Sequence, residues 1–343
     1  MIGIRTDVNE MIATGHIMRC LTIAKEIRNR GGEVLFFLAD EYGVPILQEN
    51  GFEYLILNSD WRNPLGETDR LGEEISKRYV LTMLFDSYHM NGEYFAELRK
   101  RTEKNVLFAY IDDLFEEIYP VDIVINYNAY YIGFPYEEAY AGKAKLCLGP
   151  AFVPLREEFG KVLVDDGKSN SVLLSCGGGD VLQALYSILE CAVKDERFHE
   201  TKFHVVVGRY HQKKELLEKL AKVHGNIILH HNVSNMAELM EESRIAVSAA
   251  GTMLYELCAM ERPTVFFITA DNQRYDSDFF AEDNRMMFAG DFRAERDACI
   301  GRILDGMDML LTNTDLCNEM KEKLRKVTDG RGAGRIADVL VKK

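Results

Sequence analysis

The feature that most constrains the fold of this chain is a regular alternation of short apolar runs and helix-like segments. In the first half, apolar runs predict buried strands at residues 1–5, 34–38, 54–57, 79–85, 106–111 and 122–126. Helices are expected between them at 15–30, 67–78 and 91–101. Near-continuous apolar strands separated by helices are typical of a parallel sheet that is covered on both faces.

The alternation is interrupted between about residues 148 and 170, where Gly149-Pro150, Pro154 and a polar run at 165–170 predict a linker. It restarts with apolar runs at 172–176, 203–207, 227–230, 245–248 and 264–268, and a charged helix is expected at 314–327. A chain of 343 residues is too long for one ordinary core. We therefore predict two doubly wound α/β domains, at residues 1–150 and 170–313.

Two short glycine loops mark the predicted ligand sites, because each follows a strand and opens a helix. The first is Ala13-Thr14-Gly15-His16, and the second is Ala249-Ala250-Gly251-Thr252, whose helix carries Glu256. Unpaired backbone N–H groups and the helix dipole make such a helix start a favourable site for an anion. Ligands of doubly wound sheets bind beyond the carboxyl ends of the strands, where both loops lie. We expect one phosphorylated ligand in a cleft between the domains.

In the first domain, three side chains at this edge could contact that ligand. His16 could act as a general base toward water, since free imidazole titrates near neutral pH, or it could bond a neighbouring carbonyl. Asp7 could bond an imidazole or a sugar hydroxyl, or cap the loop backbone. Tyr88, in Asp86-Ser87-Tyr88 after a buried strand, could bond substrate or water, while Asp86 and Ser87 suit an ordinary turn.

In the second domain, Glu256 could bond a ribose diol, or could be a surface acid that favours the helix dipole. Asn272 and Gln273 follow a strand and could fix a sugar or a water, or could cap a helix. The run Gly177-Gly178-Gly179 is not a dinucleotide fingerprint, and no phosphate-loop lysine follows it.

Composition argues against several other classes of function. The net charge of -14 disfavours binding to a nucleic-acid backbone, and no apolar run reaches the roughly 18 residues of a membrane span. The adjacent Asp112 and Asp113 are weak evidence for a metal, and no cluster has ligand spacing, so neither metal nor other cofactor is expected. Scattered cysteines predict free thiols in a reducing cytoplasm. No obligate protein partner is inferred.

With these residues located, the chain resembles the UDP-sugar hydrolases of pseudaminic acid biosynthesis. The resemblance rests on short motifs spread over nearly the whole chain: Arg5-x-Asp7, Gly15-His16-x-x-Arg19-Cys20, Leu148-Gly149-Pro150-Ala151, Leu155-Arg156-x-Glu158-Phe159, Ser175-x-Gly177-Gly178, Ala270-Asp271-Asn272-Gln273 and Asp329-Gly330-x-Gly332-Ala333-x-Arg335. The second half also resembles the UDP-N-acetylglucosamine transferase of peptidoglycan synthesis through Gly251-Thr252-(x)3-Glu256 and Pro263.

The resemblance implies the GT-B fold, in which two Rossmann-like domains face each other across a cleft and helices of 314–343 pack back toward the first domain. It also implies release of UDP from a UDP-linked 2,4-diacetamido-2,4,6-trideoxy sugar by inverting attack of water, without a metal. His16 would be the base, and Tyr88 and Asn272 would position the sugar or the water. Gly251 and Thr252 would hold the pyrophosphate, Glu256 the ribose and the Val233 region the uracil.

The match departs from the family pattern at one loop. The family has Ile-Gly-x-Gly-His where this chain has Ile12-Ala13-Thr14-Gly15-His16, and Asn9 replaces a family serine. Because the spore-coat polysaccharide proteins share the pattern, a related UDP-sugar is an alternative substrate. A glycosyltransferase and a non-catalytic protein that binds nucleotide sugars are the alternative functions.

Overall fold

The computed structural model describes residues 1–9, 14–160, 170–176, 180, 182–208 and 213–341, apart from the side chain of Asn272. The chain divides into two compact units. Unit 1 comprises Met1–Arg156 and Arg331–Lys343, and unit 2 comprises Glu157–Gly330. Residues 161–169 of the predicted linker and residues 10–13 of the first glycine loop lie outside the described residues.

Unit 1 is built on a parallel seven-stranded sheet with the order β3-β2-β1-β4-β5-β6-β7. The strands are β1 Ile2–Thr6, β2 Val34–Leu38, β3 Glu53–Ile56, β4 Thr82–Asp86, β5 Leu107–Ile111, β6 Ile123–Asn126 and β7 Lys145–Leu148. Ile4 in β1 lies opposite Phe36 on one side and Leu84 on the other. The strand order reverses between β1 and β4, which is where a doubly wound sheet opens a crevice for ligands.

Helices cover this sheet: α1 Gly15–Asn29, α2 Val44–Glu49, α3 Thr68–Lys77, α4 Gly92–Arg101 and α5 Tyr136–Ala139. The apolar positions that predicted α1 are buried, Ile17, Cys20 and Ala24 among them. Near α4, the rings of Phe85 and Phe95 meet edge to face with centroids 5.2 Å apart. Unit 1 therefore has its own core, as the alternation of apolar runs predicted.

Unit 2 is a second parallel sheet, of six strands, with the order β10-β9-β8-β11-β12-β13. Its strands are β8 Ser171–Ser175, β9 Lys202–Val207, β10 Ile227–His231, β11 Ile245–Ala249, β12 Thr264–Ile268 and β13 Met287–Asp291. Its helices are α6 Ala184–Ala192, α7 Lys214–Val223, α8 Met236–Glu241, α9 Thr252–Ala259, α10 Arg274–Ala281, α11 Arg296–Thr312 and α12 Thr314–Arg325. The predicted class, two parallel α/β domains, is confirmed.

The segment at 314–343 is divided between the units. Helix α12 contacts α9 and α11 within unit 2, whereas α13, Gly332–Val341, contacts α1 and β4 within unit 1. Gly330 has a φ of +74°, and a Cβ there would collide with the backbone of Phe159. A Cβ at Gly332 would collide with the backbone of Val153. The two glycines of the closing motif are thus explained by close backbone packing.

Candidate functional site

The carboxyl ends of four neighbouring strands supply polar side chains to one edge of the sheet in unit 1. Asp7 follows β1, Asp86 ends β4, Asp113 lies just beyond β5, and Tyr127 follows β6. Because parallel strands end at the same edge, these side chains converge although they are far apart in sequence. His16 joins them from the first turn of α1.

A pocket of about 440 Å³ opens at this edge. It is lined by Asp7, His16, Trp61, Arg62, Asp86, Ser87, Tyr88 and His89. Three of the candidate residues, Asp7, His16 and Tyr88, are therefore brought together in one pocket.

His16 is held by a carboxylate. Its Nδ1 lies 2.5 Å from Oδ1 of Asp86. Burial alone would raise the pKa of Asp86, but the adjacent Arg19 and His16 outweigh burial and hold that pKa well below its usual range. The carboxylate is therefore ionised and can accept a hydrogen bond from Nδ1–H. In the neutral tautomer that carries its proton on Nδ1, the lone pair is on Nε2. This is the tautomer that a general base requires.

Arg19 joins the two carboxylates of the site. It donates from Nε to Oδ2 of Asp86 at 2.7 Å and from Nη2 to Oδ1 at 2.5 Å. Its Nη1 donates to Oδ2 of Asp113 at 2.9 Å and to the hydroxyl of Tyr127 at 2.6 Å. Arg19 was not among the predicted site residues, although the three-residue spacing from His16 places both on one face of a helix.

Tyr88 is fixed by the second of these carboxylates. Its hydroxyl donates to Oδ2 of Asp113 at 2.9 Å, and its ring meets that of His16 edge to face with centroids 4.6 Å apart. Burial and the charge of Asp113 raise the pKa of Tyr88. The phenol is therefore neutral, and its oxygen can still accept a hydrogen bond from a ligand or a water.

Within the described part of the chain, only one of the two carboxylate oxygens of Asp7 has a hydrogen-bond or ion-pair partner. Oδ1 lies 2.6 Å from Nη1 of Arg5 and accepts a hydrogen bond from the backbone N–H of Ala39 at 3.0 Å. Oδ2 is buried and has no hydrogen-bond partner among the described residues. The backbone group that Asp7 binds follows β2 and not its own loop, and Asp7 also lines the pocket.

In unit 2, the loop after β11 opens α9 at the point where the strand order reverses between β8 and β11. Gly251 precedes the helix with a φ of +144°, a backbone conformation that side chains with a Cβ rarely adopt. Thr252 is exposed, and Glu256 is partly exposed one turn later. The predicted helix start is confirmed, and its glycine is required by the backbone.

The remaining candidates are also in unit 2. Gln273 uses its carbonyl oxygen to accept a hydrogen bond from the backbone N–H of Thr269 at 2.7 Å. Val233 is half-buried in the loop after β10. Asn272 lies in the short 3-10 helix Asp271–Gln273, but its side chain is not among those described.

The adjacent Asp112 and Asp113 have separate partners. Asp112 accepts hydrogen bonds from the hydroxyl of Tyr136 at 2.8 Å and from the backbone N–H of Phe115 at 2.9 Å, while Asp113 faces Arg19. Burial raises the pKa of Asp112. Within the described part of the chain, no three histidine, cysteine or acidic side chains are grouped as a metal site would need.

Two aromatic residues of the pocket carried no signal in the sequence. The ring of Trp61 meets that of His89 with centroids 5.0 Å apart, and the guanidinium of Arg62 lies 4.8 Å from the Trp61 ring. Trp61 lies in an irregular segment and His89 in a turn, so neither periodicity nor spacing pointed to them.

Comparison with known families relates the chain to glycosyltransferases. Residues 172–328 match the glycosyltransferase family 28 C-terminal domain. A glycosyltransferase structure from Rickettsia africae superimposes with a TM-score of 0.64 at 14% identity, covering 100% of this chain and 98% of that one. The chain therefore has the GT-B fold. No helix in the described residues has both the length and the apolar character needed to cross a membrane.

Several relatives are similar in sequence, among them proteins from Bacillus, Campylobacter and Methanocaldococcus. The spore coat polysaccharide biosynthesis protein SpsG of Bacillus subtilis is 21% identical over 99% of this chain and 97% of its own length. The UDP-2,4-diacetamido-2,4,6-trideoxy-beta-L-altropyranose hydrolase of Campylobacter jejuni is 24% identical over 74% of this chain and 85% of its own. An uncharacterized protein of Methanocaldococcus jannaschii is 25% identical over 80% of this chain, which spans only 56% of that relative. These matches relate the chain to nucleotide-sugar proteins of the GT-B type.

Proposed function

We propose that this protein hydrolyses a UDP-linked sugar, with His16 as the general base. The observation that carries the proposal is the pairing of Nδ1 of His16 with Asp86 at 2.5 Å in an open pocket. That pairing leaves Nε2 as the atom that can accept a proton. The Campylobacter relative, which is named as a hydrolase of a UDP-sugar, supports the reaction class.

In the proposed step, a water molecule gives a proton to Nε2 of His16 while its oxygen bonds to the anomeric carbon. The bond from that carbon to the diphosphate oxygen breaks, and UDP leaves with the electron pair, so the anomeric configuration inverts. Asp86 stabilises the imidazolium that forms. No metal enters the step.

The other candidate residues have binding roles in this proposal. In unit 1, Asp7 accepts a hydrogen bond from the sugar, and the Tyr88 hydroxyl orients the sugar or the water. In unit 2, Asn272 and Gln273 contact the sugar. The nucleotide is bound there by the backbone at Gly251 and Thr252 around the pyrophosphate, by Glu256 at the ribose, and by the Val233 region at the uracil.

The proposed substrate is a UDP-linked 2,4-diacetamido-2,4,6-trideoxy sugar. Support comes from the Campylobacter relative, which is named for such a substrate, and from the resemblance of the loop motifs. The full-length similarity to the Bacillus spore-coat protein makes a related UDP-sugar the alternative.

Transfer of the sugar to an acceptor hydroxyl is the second candidate function, and the family 28 match over residues 172–328 favours it. The same base could deprotonate a hydroxyl instead of water. Purified protein incubated with a panel of UDP-sugars and no acceptor separates the two, with UDP and free sugar followed by NMR. Hydrolysis predicts both products in equal amounts, unaffected by a chelator. UDP binding without turnover, and turnover only after an acceptor is added, would each contradict it.

A further inference from the structure

In unit 1, two buried carboxylates bind the two side chains, His16 and Tyr88, that are proposed to act on the substrate. Asp86 holds Nδ1 of His16, and Asp113 holds the hydroxyl of Tyr88. Asp86 is 1% exposed and Asp113 is 5% exposed. Burying two carboxylates side by side is costly unless a cation and hydrogen bonds compensate them.

Arg19 is the cation that both carboxylates share. Its guanidinium donates two hydrogen bonds to Asp86 and one to Asp113, in the planar fork that arginine alone provides. Burial would lower the pKa of Arg19, but Asp113 and Asp86 outweigh it and raise that pKa, so the guanidinium stays charged. The position of each carboxylate is therefore fixed relative to the other.

The guanidinium also acts on the imidazole directly. Its Nη2 lies 3.2 Å from Nδ1 of His16, on the ring atom that faces Asp86. Two further groups of this cluster are neutral: Cys20, whose thiol donates to Asp86, has its pKa raised by burial and by that carboxylate, and burial raises the pKa of Tyr127. Among the described residues, Asp7, Arg62 and His89 line the same pocket as His16, and Tyr88 packs against its ring. A negative and a positive group thus face the same ring nitrogen, and their effects on its protonation oppose each other.

We propose that Arg19 is a positioning residue that sets both the orientation and the charge of the site. Through Asp86 it orients His16, and through Asp113 it orients Tyr88. Its positive charge lies beside the same ring nitrogen as the negative charge of Asp86 and offsets it. The expected effect of Arg19 on catalysis rests on the proposed function. Its effect on the protonation of His16 can be measured on the protein without any ligand.

An electrostatic role and a purely structural role of Arg19 predict different His16 titrations in the variants Arg19→Met and Asp113→Asn. Arg19→Met removes the cation and leaves Asp86 beside the ring, so the pH of half-protonation of His16 should rise by about one unit. Asp113→Asn removes an anion from the same network, so that pH should fall. Arg19→Lys keeps a cation without the fork and should lie close to wild type. A purely structural role predicts no such opposite pair of shifts.

The measurement is an NMR titration of the imidazole C–H resonances in the ligand-free full-length protein. His199, which is exposed in unit 2, serves as the internal control and should titrate alike in every variant. Opposite shifts for Arg19→Met and Asp113→Asn support the proposal. Unchanged His16 titration in both folded variants, or shifts of the same sign, would overturn it. If Arg19→Met does not fold, Asp113→Asn and Arg19→Lys decide: a downward shift only in Asp113→Asn supports it.

Steady-state kinetics of the Arg19 variants test the expected effect on catalysis. On a UDP-sugar that the wild type hydrolyses, Arg19→Met should lower kcat by about 100-fold, with UDP affinity unchanged. Arg19→Lys should recover part of that loss, and the acid limb of the rate profile should follow the NMR shifts. Wild-type kcat and rate profile in folded Arg19→Met would overturn the proposal. If the wild type hydrolyses no UDP-sugar, the proposed function is wrong. The NMR titration still tests whether Arg19 controls the protonation of His16.

Discussion

At the scale of single residues, three aspartates that end or follow neighbouring strands take three different roles. Asp86 pairs with His16 and Arg19, Asp113 with Arg19 and Tyr88, and Asp112 with Tyr136. Their positions at strand ends are visible in the sequence. Their partners are not, because the choice depends on the register of β4 against β5 and on the path of α1. The sequence therefore indicated Asp7, His16 and Tyr88, but it offered an imidazole as a partner for Asp7, whereas the carboxylate beside His16 is that of Asp86.

A residue-scale prediction concerns Glu256, on the first turns of α9. If its carboxylate bonds the ribose, Glu256→Ala should weaken UDP binding about 10- to 100-fold, since hydrogen bonds to charged groups contribute about 1.5–3 kcal/mol. Isothermal titration calorimetry with UDP measures this. Glu218→Ala, at an exposed position of α7, is the matched control and should bind UDP as the wild type does. Unchanged affinity in folded Glu256→Ala would show that the ribose site lies elsewhere.

At the scale of elements, interior strands were the most predictable from sequence. The bounds predicted for β2 and β12 are those observed, because each is a continuous apolar run. The edge strands β7 and β13 were missed: β7 is only four residues with an exposed Lys145, and β13 contains Gly290 at a φ of +114°. The long helix α11 was missed because Gly301 and Gly306 interrupt its pattern. A Cβ at Gly306 would come within 2.9 Å of Val265, which explains that glycine by packing alone.

The glycines at the starts of α1 and α9, Gly15 and Gly251, differ in whether the backbone conformation requires a glycine. This difference predicts different effects of alanine on stability. Gly251 has a φ of +144°, so Gly251→Ala should strain the backbone by about 1–2 kcal/mol. A Cβ at Gly15 would meet none of the described residues within 4 Å, so Gly15→Ala should leave stability nearly unchanged. Thermal unfolding should show a Tm lower by roughly 2–8 °C for Gly251→Ala only. Equal Tm values for the two variants would contradict this account of α9.

The Gly15→Ala variant also tests whether a glycine is needed at this position for ligand binding and not for stability. If the ligand approaches the backbone at Gly15, the added methyl group of Gly15→Ala occupies space that the ligand needs, and kcat/KM for the UDP-sugar should fall although Tm does not. Turnover at the wild-type level would show that the ligand does not approach the first turn of α1.

At the scale of the whole molecule, the two units are expected to respond to acid at different pH. In unit 2, Nδ1 of His204 lies 3.0 Å from Nε2 of His230, and burial lowers the pKa of both rings, that of His204 also because of His230. The unfolded chain therefore binds these protons at higher pH than the folded chain, and their contribution to stability, complete above about pH 6.5, is lost as the pH falls below that value. In unit 1, Asp86 has a lowered pKa, so its contribution persists down to about pH 4.

The prediction for unit 2 is that His230→Gln reduces the loss of Tm between about pH 7.5 and pH 5.5. The variant buries one imidazole where the wild type buries two. As the pH falls, its unfolded chain therefore binds fewer extra protons relative to the folded chain, and less stability is lost. His199→Gln, at an exposed histidine of the same unit, is the control and should show the wild-type loss. The idea fails if His230→Gln loses as much Tm as the wild type over this range.

The central claim, that His16 is the base of a UDP-sugar hydrolase, is tested most directly by His16→Asn. Asparagine can still donate to Asp86, so the fold and the UDP affinity should be retained. With a UDP-linked 2,4-diacetamido-2,4,6-trideoxy sugar and no acceptor, kcat should fall about 100-fold or more while KM changes little, because general-base assistance contributes at least that much. Steady-state UDP release by wild type and variant, compared side by side, is the measurement. A folded His16→Asn protein with kcat within a few-fold of wild type would contradict the account.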